Sequence, residues 1–149
     1  MKIPLIAILT LLALTGCERD MMSERGFALP EGSPVAGREA FIYMQCHQCH
    51  TIAGDDTLPT IEDQEPYVQL GGKVTRIKTY GELVTAIINP SHKLADGYPK
   101  ELVSEDGESN MYIYNRYMTV QELIDIVMYL QPNYEVVRPQ VDYPIYTHP

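Results

Sequence analysis

Tryptophan is absent from this 149-residue chain and phenylalanine occurs only twice, so eleven tyrosines carry most of its aromatic content. Positive charge is scarce: 11 Lys and Arg stand against 20 Asp and Glu. A net charge of −9 leaves no surface that would grip phosphates, which excludes nucleic acid as a partner. Long apolar runs are missing as well. The stretch Ile3 to Leu14 has twelve residues, whereas a helix needs about 20 to cross the hydrocarbon core of a bilayer. There is no internal repeat and no sustained strand alternation. What is present is an ordinary hydrophobic fraction of 45% in a length that suits one domain and not two, so wholesale disorder is excluded.

Lys2 followed by that apolar stretch has the order of a secretory signal, basic and then hydrophobic, over residues 1–16. The stretch ends in Leu14-Thr15-Gly16-Cys17, which resembles a bacterial lipobox. That resemblance implies cleavage before Cys17 and lipidation of its sulfur, each buried methylene of the acyl chains contributing ~0.8 kcal/mol to membrane anchoring. Glu18 stands where Asp would signal inner-membrane retention, which favours the outer membrane. Cleavage removes Lys2 and no acid, so the net charge goes from −9 to −10. Residues 17–33 are polar, with no apolar periodicity, and are expected to form a tether. As a flexible coil, Glu18 to Ser33 would reach about 22 Å.

Three helices are signalled further on. Pro34 suits a first helical turn, and Ala36, Ala40, Phe41 and Met44 recur at helical spacing up to Cys46. Thr79-Tyr80-Gly81-Glu82 is a capping box ahead of Leu83, Val84, Ile87 and Ile88, and Asn89-Pro90 stops that helix. Thr119-Val120-Gln121-Glu122 repeats the device ahead of Leu123, Ile124, Val127, Met128 and Leu130, with Gln131-Pro132 as the stop. Thr51 to Gly72 and Ser91 to Asn110 read as loops of about twenty residues each. The expected class is all-α with long loops. Three short helices make a thin core, and loops of that length are uncommon unless they carry function or wrap something, so a large apolar cofactor would explain both features.

The chemistry lies in Cys46-His47-Gln48-Cys49-His50. Two thiols three residues apart can each add to a vinyl group of haem, and the adjacent histidine can then bind the iron from the same side. Three other readings of Cys-x-x-Cys remain open. A dithiol redox motif usually sits in a βαβ context, a zinc site needs two further ligands, and a structural disulfide has no need of His50. On the haem reading, Cys17 is used by lipid and Cys46 and Cys49 by haem, which leaves no reactive thiol in an oxidising compartment.

Gly37-x-x-x-Phe41 on the first helix, the C-x-x-C-H segment, the capped middle helix ending Asn89-Pro90, a loop methionine and a last helix ending Val127-Met128-Tyr129-Leu130 together resemble a class I c-type cytochrome, over residues 34–131. The resemblance implies a cytochrome c-like fold, three main helices and long loops wrapped around one covalently bound haem c. Gly37 would let the last helix cross closely, with Phe41 and Tyr129 packing at the contact. The axial ligands implied are His50 and a methionine. Met118 directly precedes the cap Thr119 and can staple to Leu123, whereas Met111 has no such duty, so Met111 is the expected ligand. The family's methionine is often followed by proline, and Tyr112 stands there instead. The alternatives are Met118, an open site, or His92, which would give a bis-histidine haem of lower potential. A proline carbonyl after the haem motif usually orients the proximal histidine. Pro66 is expected in that role, with Pro59 as the other candidate. His47 is expected to be exposed, and His148, one residue from the end, is given no role.

The function implied is single-electron transfer by a periplasmic, lipid-anchored monohaem cytochrome. It would have no small-molecule substrate, and its partners would be redox proteins with a basic docking patch. The alternatives are a haem-bearing subunit of a larger oxidoreductase and a five-coordinate haem that binds gas or peroxide. Residues 132–149, rich in Pro and Tyr, are expected to be an extended tail that packs back on the body or meets a partner.

Overall fold

The computed structural model describes residues 28–59 and 68–137. Helix α1 is Pro34–Tyr43. The Ser33 hydroxyl accepts from the Ala36 N–H at 3.2 Å, and Pro34 occupies the first turn, where its missing N–H costs nothing. The helix stops because Met44 leaves helical geometry and Gln45 is left-handed, φ +61°, a conformation that side chains disfavour. A single 3₁₀ turn, Cys46–Gln48, follows at once.

Strand β1 (His50–Ile52) pairs in parallel with β2 (Val68–Leu70), in register His50↔Val68, Thr51↔Gln69 and Ile52↔Leu70. The first long loop is thereby closed at its base. Strand β3 (Gly72–Val74) lies two residues on, after a bend at Gly71, φ +79°, where a Cβ would come within 2.8 Å of the Asn133 carbonyl. Helix α2 (Tyr80–Ile88) begins with its capping box fully made, Thr79 Oγ1 accepting from Glu82 N–H while Glu82 accepts from Thr79 N–H. The second long loop holds a 3₁₀ turn (Pro90–His92), a one-turn helix α3 (Lys100–Val103) and a hairpin of β4 (Ser104–Glu105) and β5 (Glu108–Ser109). Asp106 and Gly107, both at positive φ, turn that hairpin. Helix α4 (Val120–Leu130) carries the second capping box, on Thr119 and Glu122. Strand β6 (Tyr134–Val136) then pairs in parallel with β3, so the start of the C-terminal segment packs back on the body. The ladders are two or three residues long, too short to show alternation in the sequence.

The core is one cluster built from Ala40, Phe41 and Met44 of the first helical segment, Ile52 of β1, Leu83 and Val84 of α2, and Ile126, Val127, Tyr129 and Leu130 of α4. Its centre is the crossing of α1 over α4. A Cβ at Gly37 would overlap the Asp125 carbonyl, so the two backbones touch there and only glycine fits. One turn on, Phe41 meets Tyr129 edge to face with ring centroids 5.8 Å apart. Packing also reaches back before Pro34: Leu29 lies against the core and Ser33 N–H donates to Asp125 Oδ1 at 2.7 Å. The ordered body therefore includes the last residues of the segment expected to be a tether.

Candidate functional site

His50 opens β1, and the β1–β2 register sets the Val68 carbonyl 3.1 Å from its Nδ1. A carbonyl only accepts, so Nδ1 carries the proton and Nε2 keeps its lone pair. The ring is half-buried, 6.5 Å from the ring of Phe41 between centroids. Burial holds the imidazole pKa below its usual value, against the opposing hydrogen bond to Val68, which favours the neutral, metal-binding form. Val68 N–H also donates to the Cys49 carbonyl at 2.8 Å, tying the strand to the preceding turn.

Cys46 and Cys49 are both free thiols on that turn, closed by Cys49 N–H donating to the Cys46 carbonyl at 3.2 Å. Cys46 is half-buried against the core and Cys49 is exposed. Burial pushes the Cys46 thiol up to about 11, so its nucleophilic thiolate is scarce at neutral pH, the opposite of what dithiol redox chemistry needs. Among the described residues no three His, Cys, Asp or Glu side chains converge as a metal cluster. Two thiols on the turn that leads into an imidazole whose Nε2 has no partner among the described residues are the groups that could hold a haem c, by its edge and by its metal. His47, expected to be exposed, is half-buried, and its Nδ1 is buried with no hydrogen-bond partner among the described residues.

Both candidate methionines lie in the segment between β5 and α4 and both are half-buried. Met118 and Leu123 each pack against the core. Met111 is absent from that cluster, and its N–H donates to Ser109 Oγ at 3.2 Å. His92 is exposed, and its Nδ1 meets the Asn89 carbonyl at 2.8 Å, so its ring closes the end of α2. Pro59 is exposed. Pro66, Cys17 and His148 lie outside the described residues; the carbonyl on His50 is that of Val68.

Several residues that matter here are not apparent from motifs. Asp55 Oδ2 accepts from Arg38 Nε at 2.8 Å and from the Tyr129 hydroxyl at 2.7 Å, while Arg38 Nη2 also reaches Thr57 at 2.9 and 3.0 Å. The knot joins α1, α4 and the loop after β1, and so fixes the strand that starts at His50. Arg38, Thr57 and Tyr129 together hold the Asp55 carboxyl well below the usual carboxylate range. Burial, helped by Asp55, pushes the Tyr129 hydroxyl upward. Val68 acts through its backbone and leaves no side-chain signal. No protein-family model, no curated protein and no solved structure matches this chain.

Proposed function

We propose that this chain is a lipid-anchored, periplasmic monohaem c-type cytochrome, with a cytochrome c-like fold, that carries single electrons between redox proteins. The observation that carries the reading is His50 with its Nδ1 satisfied by the Val68 carbonyl, its Nε2 free, and two free thiols on the adjoining turn. Cys46 and Cys49 would make the two thioether links, and His50 Nε2 and Met111 would bind the iron. Haem, when bound, supplies a ferric/ferrous couple, and no substrate bond is made or broken.

This chain's part is to hold and tune. The Val68 carbonyl fixes the tautomer and direction of His50, and a methionine ligand would raise the potential. The contact of α1 with α4 at Gly37 and the Arg38–Asp55–Tyr129 knot keep the His50 strand from shifting. Exposed Ile88, Leu102, Tyr112 and Ile113, all close in sequence to Met111 or to the end of α2, are apolar surface that a large flat group can cover. Cys17 would fix the body to the membrane, and the acidic surface favours partners with a basic patch.

The test is to secrete the chain through a pathway that attaches haem and to record intact mass and optical spectra in both oxidation states. Covalent addition of one haem and a weak far-red ferric band of methionine–iron bonding are expected. Cys46→Ala with Cys49→Ala should abolish the mass increase. A wild-type chain that leaves the pathway without haem overturns the proposal.

A further inference from the structure

Between Ser109 and Thr119 the chain has no helix or strand of its own, yet it carries both methionines considered for the iron. Side chains and single amides fix it. Ser109 N–H donates to Ser91 Oγ at 3.0 Å and Asn115 Nδ2 to the Ile88 carbonyl at 2.8 Å, which ties one side of the loop to the end of α2. Tyr114 reaches the other way. Its hydroxyl donates to the Met44 carbonyl at 2.6 Å, across seventy residues of sequence.

Met44 is the cap of α1, two residues before Cys46, and it is itself buried. Its carbonyl stands at a helix end, where intrahelical donors run out, and the left-handed Gln45 turns the chain away from any continuing turn. A buried carbonyl in that position needs a partner, and Tyr114 supplies it. Within the loop the same tyrosine is the hub: its carbonyl accepts from Tyr117 N–H at 2.8 Å and from Met118 N–H at 2.9 Å. Its ring packs on the core and meets Tyr112 edge to face at 4.8 Å. Burial raises the hydroxyl pKa, and Cys46 and Cys49 are close enough to add to the effect.

We infer that Tyr114 is a positioning residue for the sixth ligand, its hydroxyl latching the Met111–Met118 loop onto the chain that leads into Cys46 and His50. The inference rests on the haem reading above. It makes the grip of the methionine on the iron depend on a bond that touches neither, because the loop can swing from the iron only as far as that latch gives.

Tyr114→Phe removes the hydroxyl and keeps the ring, and Tyr43→Phe, on an exposed ring of α1, serves as the control. Imidazole competes with methionine for ferric iron, so its binding reads the loop's hold. Its affinity is expected to rise about fivefold in Tyr114→Phe, the factor that corresponds to the loss of one net hydrogen bond, and to stay unchanged in Tyr43→Phe. A Tyr114→Phe protein that melts earlier but binds imidazole as the wild type does would make the bond merely structural and overturn the inference. So would an unchanged affinity with unchanged melting, or an equal rise in both variants. A wild-type chain that carries no covalent haem fails at an earlier step and overturns the functional reading together with this inference.

Discussion

Gly37 passes so close to Asp125 that the Asp125 carbonyl occupies the space a side chain would need. The obstacle is backbone, which cannot move aside as the tip of a flexible side chain can. Gly37→Ala must therefore push α1 away from α4 and loosen the Phe41–Tyr129 contact beside it. The expected cost is about 1–3 kcal/mol, in the range of overpacked cores. Thermal or denaturant unfolding of the holoprotein reads it, and a melting curve identical to wild type would mean that the helices do not cross this tightly in solution.

Asp55 gives the protein a pH dependence of known sign. Its carboxyl is ionised in the folded state far below the ordinary value of 3.8, chiefly because Arg38 and then Thr57 and Tyr129 bind the charged form. A depressed folded pKa contributes stability that is full above 3.8 and is lost as pH falls toward the folded value. The Arg38 side chain is 34% exposed and that of Asp55 15%, so solvent screening trims the worth of the pair without abolishing it. Asp55→Asn is expected to be less stable than wild type at neutral pH and to have a flatter stability profile below about pH 4. Parallel profiles for the two proteins would remove Asp55 from the acid response.

On the haem reading, Met111 and Met118 are expected to separate in spectrum and stability. Met118 packs on the core, so Met118→Ala is expected to lower stability by up to a few kcal/mol while leaving the far-red methionine–iron band in place. Met111 lies outside that cluster, so Met111→Ala is expected to abolish the band and lower the midpoint potential with a smaller effect on unfolding. Loss of the band in the Met118 variant with its survival in the Met111 variant would exchange the two roles.

Anchoring is tested apart from the haem. Cys17→Ser is expected to move the protein from the membrane to the soluble periplasmic fraction with an unchanged optical spectrum. Membrane association that persists in this variant would point to an uncleaved segment or a membrane partner.

Much of the local structure was legible because its causes are local. Thr79 with Glu82 and Thr119 with Glu122 lie within one turn of each other, and a capping box needs nothing else. The stop at Asn89-Pro90 follows from proline, whereas at Gln131-Pro132 the chain runs on through one 3₁₀ turn, Gln131–Asn133, before β6. The spacing of Cys46, Cys49 and His50 likewise places two thiols and an imidazole on one short segment whatever the rest of the chain does.

The partners of those groups were decided in three dimensions. Val68 meets His50 because two three-residue strands pair in one register, and strands so short leave no periodic trace in the sequence. Arg38, Asp55 and Tyr129 come from a helix, a loop and another helix, and Tyr114 finds Met44 seventy residues away. The Arg38–Asp55–Tyr129 bonds depend on distances set by the crossing of α1 and α4. The amino-acid sequence by itself determined where the three main helices form and where the reactive groups sit along the chain, since caps, breakers and spacing act over a few residues, but it left the one-turn helix α3 inside a segment read as a loop. Only the tertiary structure decided which carbonyl orients His50 and which tyrosine holds the methionine loop, because a backbone carbonyl is the same in every residue and acquires a role only from what packing brings beside it.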